Sequence, residues 1–278
     1  MDILKIAAFS DKGQGGNPAG VALVESMPSE AEMQSIALQV GYSETVFAQM
    51  LDDKTCWRVR YFSPESEVPF CGHATIALGA VLAEKFGNGE FSLTLNHTQI
   101  SVQGRNDKST SYAALQSPNT SHRLLNTEEV NDALSVFGYQ EQQLSNEIAP
   151  ALIEGGAQHY LFTLKSVDDL ARMNYQLDVG REFMRNKGIV TIMFVVDTGN
   201  NSFEVRNAFA SGGVLEDPAT GAAAAAFLGY LRDSAYLTEG DIMITQGRHM
   251  GARSLIKANA SVDVGSSIKV SGAAYKIE

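Results

Sequence analysis

Trp57-Arg58-Val59-Arg60, a strand-like tetrapeptide followed by a loop and an apolar run over 72–84, is restated later as Phe203-Glu204-Val205-Arg206, a loop and an Ala-rich run over 218–231. Eleven positions separate Arg60 from Cys71, and eleven separate Arg206 from Asp217, so the two passages align without a gap. Val59/Val205, Val68/Val214, Ala77/Ala223, Ala80/Ala226 and Leu82/Leu228 then fall in register. Each apolar run is hydrophobic around nearly the whole helical circumference, which requires protein on every side of it. Strands must therefore wrap around each helix.

The flanking elements repeat in the same order. Strand-like 3–9 and 19–24 precede a helix over 29–40, in which Met33, Ile36, Ala37 and Val40 recur at helical spacing. Ser29 with Glu32 forms a capping box, and Gly41 stands where a helix stop belongs. In the second half, strands over 151–154 and 160–164 precede helical segments over 167–173 and 178–186, closed by Gly188. Strands over 189–196 and 202–209 follow. A helix over 126–137, with Asn126 and Glu129 as cap signals, lies at the junction. The reading is α+β: two pseudo-symmetric domains, 1–117 and 118–278, each a curved mixed sheet around one central buried helix, with a cleft between them.

Composition bounds the function. The chain has 278 residues, 44% hydrophobic and 19% charged, with a formal net charge of −11. Clustered Lys and Arg are missing, which argues against nucleic acid or a membrane surface as partner. Its two cysteines, Cys56 and Cys71, and an amino terminus without signal-peptide character point to the cytoplasm. The longest apolar runs fall well short of the ~20 residues of a membrane-spanning helix. His97, His122, His159 and His249 show no metal-ligand spacing, so no metal site is expected. Gly13-Gln14-Gly15-Gly16 gives way to Asn17-Pro18, which breaks both the dinucleotide and the P-loop fingerprints.

Six motifs carry a resemblance: Gly16-Asn17-Pro18-Ala19-Gly20, Ser43-Glu44-Thr45-Val46-Phe47, Phe62-Ser63-Pro64, Cys71-Gly72-His73-Ala74-Thr75, Glu216-Asp217-Pro218-Ala219-Thr220-Gly221 and Gln246-Gly247-Arg248-His249-Met250-Gly251. In this order, across almost the whole chain, they resemble the PhzF-like phenazine-biosynthesis family of isomerases, which shares the diaminopimelate epimerase-like fold. The resemblance implies two pseudo-symmetric domains, a last strand near 265–278 returning to the first of them, a homodimer, no cofactor, and Glu44 as the proton-transferring acid/base.

Isomerisation by proton shift needs one group that takes a proton from carbon and returns it elsewhere, and a partly buried carboxyl suits that task. Glu44, His73 and Asp217 are the expected catalytic residues. Asn17, Cys71, Gly72, Thr75, Thr220, Gly221 and Ala222 are expected to bind the substrate. Cys71 immediately precedes a buried helix, whose unpaired N–H groups and dipole favour a thiolate or a bound carboxylate. Asp217 before Pro218 reads as an N-cap with proline at the first helical position. Facing helix ends would hold a small anionic metabolite.

Two features set the chain apart. Ala222 and Ala224 stand where many relatives place Ser and His, so a different small substrate is expected. Asp217 occupies the place of a second thiol, so two-thiol epimerisation is disfavoured. A racemase pairing Cys71 with Glu44 or Asp217, and a small-molecule-binding protein without turnover, are the alternatives.

Overall fold

A computed structural model describes residues 1–51, 53–107 and 110–278. The chain divides into two units, Met1–Gln116 with Ser271–Glu278, and Ser117–Val270. In chain order the first half holds β1 (Leu4–Ser10), β2 (Asn17–Val24), α1 (Glu30–Val40), β3 (Glu44–Met50), β4 (Cys56–Phe62), β5 (Glu67–Val68), α2 (Gly72–Phe86), β6 (Gly89–Thr94), β7 (Gln99–Asn106) and β8 (Ser111–Asn119). Next come β9 (Ser121–Leu124), α3 (Thr127–Phe137), β10 (Ala151–Glu154), β11 (Gln158–Thr163), α4 (Val167–Ala171), α5 (Leu177–Lys187) and β12 (Thr191–Gly199). The chain finishes with β13 (Ser202–Ala208), β14 (Glu216–Asp217), α6 (Gly221–Asp233), β15 (Gly240–Gln246), β16 (Ser254–Ala260) and β17 (Ser267–Lys276). No helix among the described residues is long and apolar enough to cross a membrane.

Local chemistry sets the helix ends. Ser29 caps α1 and Asn126 caps α3, each through a complete capping box with Glu32 or Glu129. Gly41, Gly138 and Gly188 end α1, α3 and α5 in the left-handed region, where a residue without Cβ carries no steric penalty.

In the first unit β2 and β3 run parallel with Ala19 beside Glu44, β3 and β4 run antiparallel, and β4 runs parallel to β6. β1 pairs antiparallel with β2 on one side and with the C-terminal part of β17 on the other. Helix α2 packs against β1, β2, β3, β6 and β7, and every residue from His73 to Ala83 is buried. The approach is close because both backbones lack bulk: a Cβ on Gly104 of β7 would strike the carbonyl oxygen of Gly79 in α2. On the sheet's other face α1 buries Met33 and Ala37 against Ala22, Phe47 and Phe62.

The second unit repeats the plan. β11 and β12 run parallel with His159 beside Thr191, β12 and β13 run antiparallel, and β13 runs parallel to β15. Helix α6 packs on β9, β10, β11 and β16, buried from Ala223 to Arg232. Its alanines have a steric reason: a Cβ on Gly155, just past the end of β10, would lie 2.8 Å from the amide nitrogen of Ala226, so the turn and helix backbones are almost in contact. Helices α3, α4 and α5 cover the other face around Phe137, Tyr160, Phe162 and Phe194.

Sheet register corrects the gapless alignment of the repeat. Phe62 pairs with Glu67, whereas the corresponding Ala208 pairs with Glu216, because a 3-10 turn at Ala210–Gly212 lengthens the second connection by three residues. The correspondence is therefore Glu67-Val68-Pro69-Phe70-Cys71-Gly72 with Glu216-Asp217-Pro218-Ala219-Thr220-Gly221. Cys71 corresponds to Thr220, His73 to Ala222, and Asp217 to Val68. An insertion inside a loop leaves no mark on a comparison carried by small apolar residues, so counting alone set the register wrongly.

Candidate functional site

Three elements of the first unit converge. Glu44 opens β3 three residues after the Gly41 stop, Cys71 is the N-cap of α2, and His73 lies in that helix's first turn. Oε2 of Glu44 lies 3.3 Å from Nε2 of His73, and Sγ of Cys71 lies 3.3 Å from Nδ1 of the same ring. Ser43 brings its Oγ to 3.3 Å from Nε2 as well. The imidazole is nearly enclosed, with 8% of its side chain exposed, and the Glu44 side chain is 14% exposed.

Burial lowers the pKa of His73 below its ordinary value, and the Glu44 carboxylate opposes that shift without cancelling it. The ring is neutral at neutral pH. In the tautomer with its proton on Nε2 the ring donates toward Glu44, while the Cys71 sulfur packs against the ring, 3.3 Å from Nδ1 and 3.9 Å from Nε2. A carboxylate, an imidazole and a thiol therefore meet around one ring.

A second layer holds this geometry. Oγ1 of Thr75 donates to the Cys71 carbonyl at 2.7 Å, and the Tyr61 hydroxyl lies 2.7 Å from the same Oγ1. Thr75 is fully buried, and its hydroxyl fixes the start of α2. Tyr61 is an addition from the structure; burial raises its pKa, so it acts only as a neutral donor. Asn17 is also buried, at the start of β2 opposite Ala8.

In the second unit Asp217 is 7% exposed and belongs to β14, paired with Asn207. It is not the helix cap: the cap position is Thr220, and Pro218 precedes the first turn by three residues. Strand pairing holds Asp217 extended, so the helix begins after it. The Asp217 carboxylate accepts a hydrogen bond from Oγ1 of Thr220 at 2.5 Å. Gln246, 1% exposed, clamps this turn by donating from Nε2 to the Asp217 carbonyl at 2.7 Å and to Oγ1 of Thr220 at 3.1 Å, while its Oε1 accepts from the Thr220 amide at 3.3 Å. Gly247 follows in the left-handed region, where a Cβ would lie 2.8 Å from the Pro218 carbonyl oxygen. Ser43 and Gln246 sit inside motifs quoted above, and that membership was their only signal in the sequence.

An equivalent arginine–glutamate pair supports each motif. Arg60 binds Glu67 through Nε at 2.7 Å, and Arg206 binds Glu216 through Nη2 at 2.8 Å. His159 takes the place that Ala19 has in the first unit; its Nδ1 lies 2.7 Å from Oγ1 of Thr191, the counterpart of Glu44.

The family model for phenazine biosynthesis-like proteins matches residues 6–278. An uncharacterized isomerase of Deinococcus radiodurans is 28% identical over 266 residues, covering 93% of this chain and 86% of its own length. Among solved structures, a PhzF-family phenazine biosynthesis protein of Bacillus anthracis superposes with a TM-score of 0.86 at 21% identity, over 99% of this chain and 96% of that one. A hydroxyproline epimerase from Agrobacterium vitis, solved with trans-4-hydroxy-L-proline, superposes at 0.65 with 11% identity, over 99% and 88%. These likenesses share the two-unit sheet-and-helix plan described above, which is the diaminopimelate epimerase-like fold. The chain belongs to the phenazine biosynthesis-like (PhzC–PhzF) family of isomerases.

Proposed function

We propose that the protein isomerises a small carboxylate-bearing metabolite without a cofactor, using Glu44 as the group that removes a proton from carbon and returns it elsewhere on the same molecule. The carrying observation is the contact of Glu44 with a buried, neutral His73 at the N-terminus of α2. A carboxylate hydrogen-bonded to a neutral imidazole can take up a proton and return it, and its charged form keeps a hydrogen-bond partner throughout. The first N–H groups of α2 have no acceptor within the helix, and they stabilise negative charge that develops on the substrate as its C–H proton leaves. Asp217, held by Thr220, is the second acidic group this reading assigns to the reaction.

A second reading rests on a different contact. The Cys71 thiol lies against Nδ1 of His73, so it has a base at hand and could serve in a racemase with Glu44 on the other ring nitrogen.

Small carboxylated metabolites incubated in deuterium oxide separate the readings, with wild type, Glu44→Gln and Cys71→Ser compared by NMR. The proposal expects deuterium incorporation and a shifted bond, lowered by about 10²–10⁴-fold in Glu44→Gln. Equal incorporation in that variant sinks the assignment of Glu44. Incorporation with inversion at one carbon, lost in Cys71→Ser, selects the racemase.

A further inference from the structure

The Glu44, Cys71 and His73 donor atoms all lie within 4.8 Å of one another. Carboxylate, thiolate and imidazole together form a donor set suited to zinc, and three protein ligands with one open position is the arrangement of sites that exchange their fourth ligand. Tetrahedral zinc, bonded at about 2.0–2.1 Å to nitrogen and oxygen and about 2.3 Å to sulfur, separates N and O ligands by about 3.4 Å and N and S ligands by about 3.6 Å. The Glu44 Oε2 to His73 Nε2 distance is 3.3 Å, and the Cys71 Sγ to Nε2 distance is 3.9 Å. The first already matches; the sulfur lies beside the ring, 3.3 Å from Nδ1, so binding requires the Cys71 side chain to change rotamer and swing toward Nε2. Ser43 Oγ, 3.3 Å from Nε2, stands beside the open position.

We propose that this cluster is a binding site for a thiophilic divalent cation of the zinc class, which occupies the proton-handling groups and so acts as an inhibitor. The sequence hides the site, because one ligand comes from a strand and two from a helix start nearly thirty residues later. On binding, Nε2 and the Cys71 thiol each give up a proton, one passing to Nδ1 so that the ring stays neutral and the other to solvent, as the metal–nitrogen and metal–sulfur bonds form. Two negative ligands then neutralise the dication, which offsets the unfavourable positive end of the helix dipole at this position.

Cobalt(II) is the probe, because a thiolate ligand gives it a near-ultraviolet charge-transfer band and tetrahedral geometry gives intense visible bands. Chelator-treated wild type, Cys56→Ser, Cys71→Ser, Glu44→Gln and His73→Gln are titrated, and zinc is then added as competitor. Serine is itself a favoured N-cap, so Cys71→Ser retains the helix, and far-ultraviolet circular dichroism checks the fold of each variant. Wild type and Cys56→Ser should show the charge-transfer band, displaced by zinc. Cys71→Ser should lose it. Glu44→Gln and His73→Gln should bind at least about tenfold more weakly, since even outer-shell changes cost that much. No band in wild type, a band that survives in Cys71→Ser, or wild-type affinity in both other variants overturns the proposal. The spectrum needs no turnover, so metal binding is tested separately from proton transfer. Inhibition of deuterium exchange by zinc rests additionally on the reading of Glu44 given above.

Discussion

Nε2 of His73 is shared between Oε2 of Glu44 and Oγ of Ser43, each at 3.3 Å, while the Cys71 sulfur packs against the same ring, 3.3 Å from Nδ1 and 3.9 Å from Nε2. The ring is the hub of the site, and its protonation state governs what the carboxylate and the thiol can do.

Burial lowers the His73 pKa and the Glu44 charge raises it, with burial the larger effect. An NMR titration of the wild-type ring should therefore show a midpoint below the ordinary histidine value. Removing the carboxylate in Glu44→Gln should move that midpoint further down, since the opposing charge is gone. A midpoint that rises in this variant contradicts the described geometry.

His159 tests acid stability. Burial pushes its pKa down to about 3 from 6.5, so the folded state holds a neutral ring while the unfolded chain takes up a proton below 6.5. The stabilisation is fully present above the unfolded value and is lost as pH falls toward about 3, amounting to roughly 2 kcal/mol between pH 7 and pH 5. His159→Asn keeps a nitrogen near Thr191 and does not titrate. Urea midpoints should show it less stable at pH 7, by about 1–3 kcal/mol for the lost volume, with a flatter decline toward pH 5. His73 declines in the same direction and remains in both proteins.

Gln246 is the clamp on the Asp217–Thr220 turn. Gln246→Leu keeps the bulk but leaves the Asp217 carbonyl and the Thr220 amide without this partner, a loss of about 1–3 kcal/mol for each orphaned group, measured by urea denaturation. Unchanged stability would mean that the three contacts are incidental.

The two arginine pairs should differ in weight. Nη1 of Arg206 also donates to the carbonyls of Leu170, Ala171 and Met173, and its partner Glu216 has a side chain only 6% exposed. Arg60 instead shares Glu67 with Asn96 and reaches the exposed Glu30. Arg206→Met should cost about 3–5 kcal/mol, the range for removing one partner of a buried pair, and Arg60→Met clearly less. Thermal or urea midpoints of the two variants rank them, and the reverse order would refute the argument.

Much of the architecture was legible because it is written in short-range chemistry. Ser29 with Glu32 and Asn126 with Glu129 announce helix starts, and Gly41 and Gly188 announce stops, within a few residues of where they act. The apolar circumference of 72–84 announces a central helix without reference to any partner. Where the reading failed, a distant contact had intervened. Asp217 next to Pro218 has every local mark of a helix cap, yet pairing with Asn207 draws it into β14 and moves the cap to Thr220. The three-residue lengthening around Ala210–Gly212 is equally silent in sequence, and only the pairing of Ala208 with Glu216 reveals it.

Sequence alone determined the family, the doubled plan and the identity of the chemical groups, because motifs, caps and hydrophobic periodicity act over a few residues. Tertiary structure decided which groups meet. Glu44, Cys71 and His73 become one cluster only when the parallel pairing of β2 with β3 and the packing of α2 beneath them bring a strand start to a helix start. That convergence depends on loop closure and core packing across nearly thirty residues, and no local pattern encodes it.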